Sequence, residues 1–160
     1  MIIIIMGVTG VGKTTVGRLL AAELGWTFID ADEFHPANNV EKMRRGDPLT
    51  DADRKPWFEK LRDLIRTFLE ERTNAVMACS ALKLAYRDYL LIDEQVRLVY
   101  LTGDYSLIEE RLKERKGHYM NPSLLDSQFA TLQEPERAIA VDVAASPDGI
   151  VRHLREELGI

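Results

Sequence analysis

Fifteen residues at the start of the chain, MIIIIMGVTGVGKTT, constrain the fold more than any other stretch. Four consecutive isoleucines are what a strand buried on both faces needs. The strand runs straight into Gly7-Val8-Thr9-Gly10-Val11-Gly12-Lys13-Thr14, which satisfies the pattern G-x-x-x-x-G-K-[ST] at every position. The residues after Thr14 read as a helix, so the strand-loop-helix context of the motif is present. Glycines let the backbone curl until successive N–H groups point inward at phosphate oxygens, and the helix N-terminus adds partial positive charge. At the motif's fixed positions Lys13 reaches the β- and γ-phosphates of a nucleotide, and Thr14 offers its hydroxyl to Mg²⁺. The nucleotide is therefore expected over Gly7, Val8, Thr9, Gly10, Val11, Gly12, Lys13, Thr14 and Thr15. A glycine-rich turn that binds nothing is the weaker alternative, because strand and helix both flank the motif.

Composition narrows the class. With 160 residues the chain fits one domain, 1–160, long enough to bury most of its apolar surface in a single core. A formal net charge of −5 argues against broad nucleic-acid binding, which wants a basic face. An anionic substrate must then be held by a local cluster of cations. Cys79 is the only cysteine, so there is no disulfide framework and a cytoplasmic address is the plain reading. The apolar start is too short for a membrane span and has neither a basic leader nor a cleavage site, so it reads as a core strand and no membrane partner is expected.

Strands and helices alternate along the chain. Val16, Leu19, Leu20, Ala21 and Leu24 form a helical stripe over 16–24 that Gly25 closes. A second strand covers 26–30, and a short helix over 39–45 stops at Gly46. Thr50 with Asp53 resembles a capping box before a long helix whose stripe is Trp57, Leu61, Leu64, Ile65, Phe68 and Leu69. Then come strand three over 75–79, a helix over 82–91, strand four over 96–101, a helix over about 106–115, an irregular basic segment, and a helix over about 122–132. Strand five over 139–143 and a helix over 148–158 end the chain. Five parallel strands wrapped by helices predict a three-layer α/β domain with right-handed crossovers and ligands at the carboxyl ends of the strands.

That geometry selects the residues directly after each strand. After strand two, Asp30 and Asp32 lie two apart and point toward the phosphate loop. One can hold the Mg²⁺ shell through water and the other can accept a proton from an attacking hydroxyl; otherwise they are two solvated loop acids. After strand three, Ser80 and Lys83 with Tyr86 and Arg87 suit a polyhydroxylated acid, or else a capped helix with surface cations. Arg111, Lys113, Arg115, Lys116, His118 and Tyr119 form the most basic stretch of an acidic chain. Beside a phosphate loop it reads as a lid, over about 111–124, that brings arginines to the transferred group; elsewhere it would read as a solvated face. His35 and His118 are not spaced as metal ligands, and with His153 they default to local hydrogen bonding. Cations on the segments after strands two and three, Lys42, Arg54, Lys83 and Arg87, lie well away from the phosphate loop, and Asp32 lies beside it.

At this point the chain resembles a family. The phosphate loop together with D-A-D-E-F-H-P, N-V-E-K-M, G-D-P-L-T-D-A-D-R-K-P-W, C-S-A-L-K with Y-R-D, L-x-G-D, R-L-K-E-R-K-G-H-Y-M and S-Q-F-A-T-L-Q-E-P is similar to the gluconokinases over nearly the whole sequence. The resemblance implies a P-loop kinase fold like that of the nucleoside-monophosphate kinases, with a five-stranded parallel sheet and a lid. It implies transfer of the ATP γ-phosphoryl group to the 6-hydroxyl of D-gluconate, with Mg²⁺, in a homodimer. In that setting Lys13, Asp32 and Arg115 are the catalytic candidates, Arg111 joins the nucleotide site, and Thr14 with Asp30 is the metal pair. Asp32, His35, Lys42, Arg54, Ser80, Lys83, Arg87, His118 and Gln128 are the candidates for the sugar acid. Gln133 is a departure, since related sequences often carry Glu there, and so is a short C-terminal end. Shikimate kinase or another small-metabolite P-loop kinase is the alternative, although shikimate kinase is expected to have a glycine-rich turn where this chain has Ser80-Ala81-Leu82-Lys83. A GTP-dependent switch is disfavoured, because no D-x-x-G follows the loop and no N-K-x-D is present.

Overall fold

The computed structural model describes residues 1–114 and 122–160. The isoleucine run becomes β1 (Ile2–Met6), all five side chains of which are buried. It pairs in parallel with β3 (Ala75–Ala78) on one side and β4 (Val96–Thr102) on the other. Beyond these lie β2 (Thr27–Asp30), on β3, and β5 (Ile139–Asp142), on β4, giving the order β2-β3-β1-β4-β5. The chain builds outward from β1 in one direction and then in the other, so the crevice at the carboxyl end of β1 is the topological switch point where α/β sheets take ligands.

Alternation of side chains along β1 assigns the helices to the two faces. Ile3 and Ile5 join Val16 and Leu20 of α1 (Lys13–Leu24) and Ile150, Val151 and Leu154 of α7 (Pro147–Leu158) in one core layer. Ile2, Ile4 and Met6 join Trp57, Leu61 and Ile65 of α3 (Asp51–Glu70) and Leu90 of α4 (Leu84–Leu90) in the other. Each fully buried aliphatic side chain contributes roughly 1.5–3 kcal/mol, so the central strand alone anchors both layers. The capping box is formed: Asp53 N–H donates to Thr50 Oγ1 at 3.1 Å and Thr50 N–H to Asp53 Oδ2 at 2.9 Å. Gly25, at φ 65°, closes α1 by donating to the carbonyls of Ala21 and Ala22.

Differences from the sequence reading cluster at element ends. Strand three stops at Ala78, and α4 starts only at Leu84, because Lys83 before it is extended, at φ −90° and ψ 144°. A short 3-10 turn, Ala31–Phe34, follows β2, and α2 (Ala37–Arg44) begins two residues early behind Pro36. Phe58 joins the buried stripe of α3. Two further helices, α5 (Tyr105–Glu114) and α6 (Pro122–Thr131), flank residues 115–121. Among the described residues, no helix is long and apolar enough to cross a membrane.

Candidate active site

The phosphate loop is shaped by backbone constraints that only glycine meets. Gly7 has φ 148°, and a Cβ there would lie 2.8 Å from the Leu101 carbonyl oxygen. Gly12 has φ 105° and caps α1 with no side chain, so the first N–H groups of the helix are left to the loop's interior. Val8 and Val11, both buried, tie the loop to the core. Lys13 folds back over it, donating from Nζ to the carbonyl oxygens of Gly7 at 3.0 Å and Val8 at 2.9 Å. Thr9 N–H donates to Gln128 Oε1 at 3.0 Å, which joins α6 to the loop. Thr15 is exposed in the first turn of α1.

Beside the loop, Thr14 Oγ1 donates to Asp30 Oδ2 at 3.4 Å, and Asp30 Oδ1 accepts from Asp32 N–H at 3.1 Å. The pair of oxygen donors suits Mg²⁺, which takes one or two protein oxygens and keeps several waters. Among the described residues no cluster of three or more His, Cys, Asp or Glu is placed to hold a metal. Asp32 follows at the start of the 3-10 turn. Partial desolvation by the protein mass around it, then the charge of Asp30, raises its carboxyl above the usual carboxylate range, while Lys13 pulls the other way. The side chain still meets solvent, so its carboxyl can reach a ligand. Cys79 is unsuited to chemistry: burial pushes its thiol up to about 12.

His35 stacks on Trp57 with centroids 4.1 Å apart, and Trp57 Nε1–H donates to the Ala31 carbonyl oxygen at 2.6 Å. Burial, then the charge of Arg54, lowers the His35 pKa to about 4.

The cations proposed for the acceptor are already engaged. Lys42 Nζ donates to both oxygens of Asp53, at 2.8 and 2.9 Å, and this contact above all draws the Asp53 pKa down to about 2. Lys83 Nζ donates to Asp51 at 3.0 Å, Tyr86 Oη donates to the same carboxylate, and the two lower its pKa, the tyrosine more. Arg54 Nη1 donates to the Leu49 carbonyl oxygen at 2.8 Å and lies 4.0 Å from Asp51. In this cluster three cations meet two carboxylates, so one positive charge is left over. Arg87 is different: it is buried under the loop after β3 and donates from Nη1 to the carbonyl oxygens of Ala81 at 3.1 Å and Leu82 at 2.9 Å. Ser80 lies over the phosphate loop, its carbonyl oxygen accepting from Gly7 N–H at 3.4 Å.

The structure therefore links Lys13, Thr14, Asp30, Asp32, Ser80 and Gln128 around one crevice, sets Lys42, Arg54 and Lys83 at the N-terminus of α3, and puts Arg87 beneath the loop rather than on its surface. Arg111 donates from Nη2 to the Val143 carbonyl oxygen at 2.6 Å, just past the end of β5. Arg115 and His118 lie outside the described residues. Sequence reasoning missed Asn39, Asp51 and Asp53 as partners, because a helix-capping aspartate and a polar residue in a short helix carry no signal of their contacts. Gln133 was read only as a departure. Its N–H donates to the Leu82 carbonyl oxygen at 2.9 Å and its Oε1 accepts from Leu84 N–H at 2.6 Å, so it caps α4.

Comparison with known proteins settles the family. The family described as "Shikimate kinase" matches residues 9–146. A probable gluconokinase of Xenopus tropicalis is 44% identical over 177 residues, covering 99% of this chain and 93% of that protein. The thermoresistant gluconokinase of Escherichia coli K12 is 44% identical, with 94% and 89% covered. The crystal structure of a gluconokinase from Sinorhizobium meliloti 1021 superposes with a TM-score of 0.85 at 41% identity, covering 98% of this chain and 94% of that one. The chain belongs to the gluconokinase family. Membership and the shikimate-kinase match agree on one P-loop architecture, and the gluconokinase likeness extends over nearly the whole length. In this gluconokinase-family chain the loop after β3 is Ser80-Ala81-Leu82-Lys83, held by Arg87 and Gln133, and no glycine-rich turn stands there.

Proposed function

We propose that the protein transfers the γ-phosphoryl group of ATP to the 6-hydroxyl of D-gluconate, giving 6-phospho-D-gluconate and ADP. The observation that carries this reading is full-length likeness to gluconokinases, joined to a site with a phosphate loop at one end and a cation-rich cluster at the other. Gluconate has a primary hydroxyl at one end and a carboxylate at the other, and the surplus charge among Lys42, Arg54 and Lys83 suits the carboxylate.

In the reaction, Asp32 accepts the proton of the 6-hydroxyl as that oxygen bonds to the γ-phosphorus, and the bond from the γ-phosphorus to the bridging oxygen of ADP breaks. Lys13 leaves the loop carbonyls to meet the β- and γ-phosphates, and the amides of the loop and of the α1 N-terminus hold the remaining oxygens. Thr14, with Asp30 behind it, would hold Mg²⁺, which when bound neutralises charge on the β- and γ-oxygens. Arg111 and Arg115 belong to a lid that excludes water. Ser80 and Gln128 line the acceptor side, and His118 is a further candidate for it. A homodimer in the cytoplasm is part of the same reading and rests on the resemblance and on the lone buried cysteine.

A coupled ADP-release assay over D-gluconate, glucose, shikimate and nucleoside monophosphates tests it. Gluconate should have the highest kcat/KM, and glucose, which lacks the carboxylate that the surplus positive charge suits, should fail by orders of magnitude. A higher kcat/KM with shikimate or a nucleoside monophosphate would refute the assignment.

A further inference from the structure

Asn39 is fully buried on α2, where an aliphatic side chain would be the ordinary choice. Its Oδ1 has no hydrogen-bond partner among the described residues, and an unpaired buried acceptor is costly. What the residue does must therefore lie with Nδ2. That nitrogen is 2.9 Å from the Asp53 carbonyl oxygen, and a carbonyl oxygen only accepts, so this end of the amide is the NH₂ group. The same nitrogen is 3.3 Å from His35 Nδ1. A donor facing Nδ1 requires a bare lone pair there, which leaves the ring proton on Nε2.

The other end of the ring asks for the same arrangement. Nε2 faces Asp32 Oδ1 at 3.9 Å, where an N–H attracts the carboxylate and a lone pair would repel it. The stack on Trp57, with the rings 19° apart, holds the imidazole against tipping, and only 5% of its side chain is exposed. With its pKa lowered to about 4 by burial and by Arg54, the ring is neutral at neutral pH. Asp53, whose carbonyl oxygen orients Asn39, is itself fixed by Lys42 and Thr50. A continuous chain thus runs from the acceptor cluster through Asn39 to the aspartate beside the phosphate loop.

We propose that His35 is a positioning residue: Asn39 fixes it as the neutral Nε2–H tautomer, and that N–H aims the Asp32 carboxylate at the acceptor hydroxyl. This deepens the proposed function and rests on Asp32 as its base. The 3.9 Å gap exceeds a hydrogen bond, and Asp32, with 78% of its side chain exposed, has room to close it when substrate docks.

The first measurement needs no variant: nitrogen NMR of the wild-type protein should show His35 protonated on Nε2 only. In Asn39→Asp the proton should move to Nδ1, because a carboxylate can accept from the ring but cannot donate to it. His35→Phe keeps an aromatic stack on Trp57 and loses the N–H. It should lower kcat by about 10-fold to 10²-fold while KM for ATP and gluconate stays within about 2-fold. His35→Gln, which restores a donor near the position of Nε2, should recover most of that loss. A wild-type ring protonated on Nδ1 overturns the proposal, as does a His35→Phe protein whose gluconate KM rises while kcat holds, since His35 would then touch substrate directly. Asp32→Asn separates the two levels. If it keeps near-normal turnover, the base assignment fails and this inference with it; if it is inactive while His35→Phe turns over normally, only this inference fails.

Discussion

The two ends of the crevice are built by different means. The phosphate loop is a local object: eight consecutive residues supply its glycine turns, its lysine and its hydroxyl, and Lys13 bonds to carbonyls five and six residues away. The acceptor end is assembled across the fold. Lys42 of α2 meets Asp53 of α3, Lys83 beside α4 meets Asp51 of α3, and Arg87 of α4 reaches under the loop before it. A local site tolerates motion elsewhere, whereas an assembled site works only while three helices keep their places. The comparison also shows that cations equivalent in sequence are not equivalent in space. Lys83 is a surface charge beside a carboxylate, and Arg87 is a buried bracket.

Asp32→Asn probes the point where the two ends meet and should show the largest effect. It removes the proton acceptor, so kcat should fall by about 10²–10⁴-fold with ATP binding nearly intact, as measured by steady-state kinetics and nucleotide titration. Loss of ATP affinity without loss of turnover would exchange the roles of Asp30 and Asp32. Lys13→Ala attacks the local end alone. It should cut kcat by on the order of 10²-fold and leave the melting temperature near that of the parent, and near-normal turnover would sink the assignment.

Arg87→Ala against Lys83→Ala sharpens the contrast within the assembled end. Loss of the buried guanidinium leaves the Ala81 carbonyl oxygen without its donor, while Leu82 keeps the Gln133 N–H. That should cost about 1–3 kcal/mol, or about 2–12 °C in Tm for a chain of this size. Lys83→Ala should change stability by no more than about 0.5 kcal/mol and act on the KM for gluconate instead. Equal thermal shifts in the two variants would erase the distinction between bracket and surface charge.

A further effect is one of pH. The folded-state pKa of His35 lies near 4, below the ordinary 6.5, so between those values the unfolded chain binds a proton that the folded chain refuses. Stability from this group is therefore full above about pH 6.5 and is lost as pH falls toward 4, by at most about 3 kcal/mol. Thermal melts from pH 7 to pH 4 should show that slope, and it should flatten in His35→Phe. An unchanged slope would mean that other groups carry it.

Much of this was legible in the chain because it depends on short-range physics. A short run of β-branched residues ending at a glycine favours a doubly buried strand, the glycines at 7 and 12 are required by their own backbone angles, and Thr50 with Asp53 forms the capping box of the helix that follows. Parallel pairing and the family followed from the alternation of elements and the motif blocks, whereas the order β2-β3-β1-β4-β5 came from the structure. The partners of individual side chains did not. Nothing local tells that Asn39 is buried between His35 and Asp53, that Asp51 gathers Lys83 and Tyr86, or that Gln133 caps α4. Backbone conformation is decided within a few residues, so sequence alone determined the strand, the loop and the helix that bind phosphate. Which charge meets which carboxylate is decided by how helices far apart in the chain pack on a common sheet, and that only the tertiary structure decided.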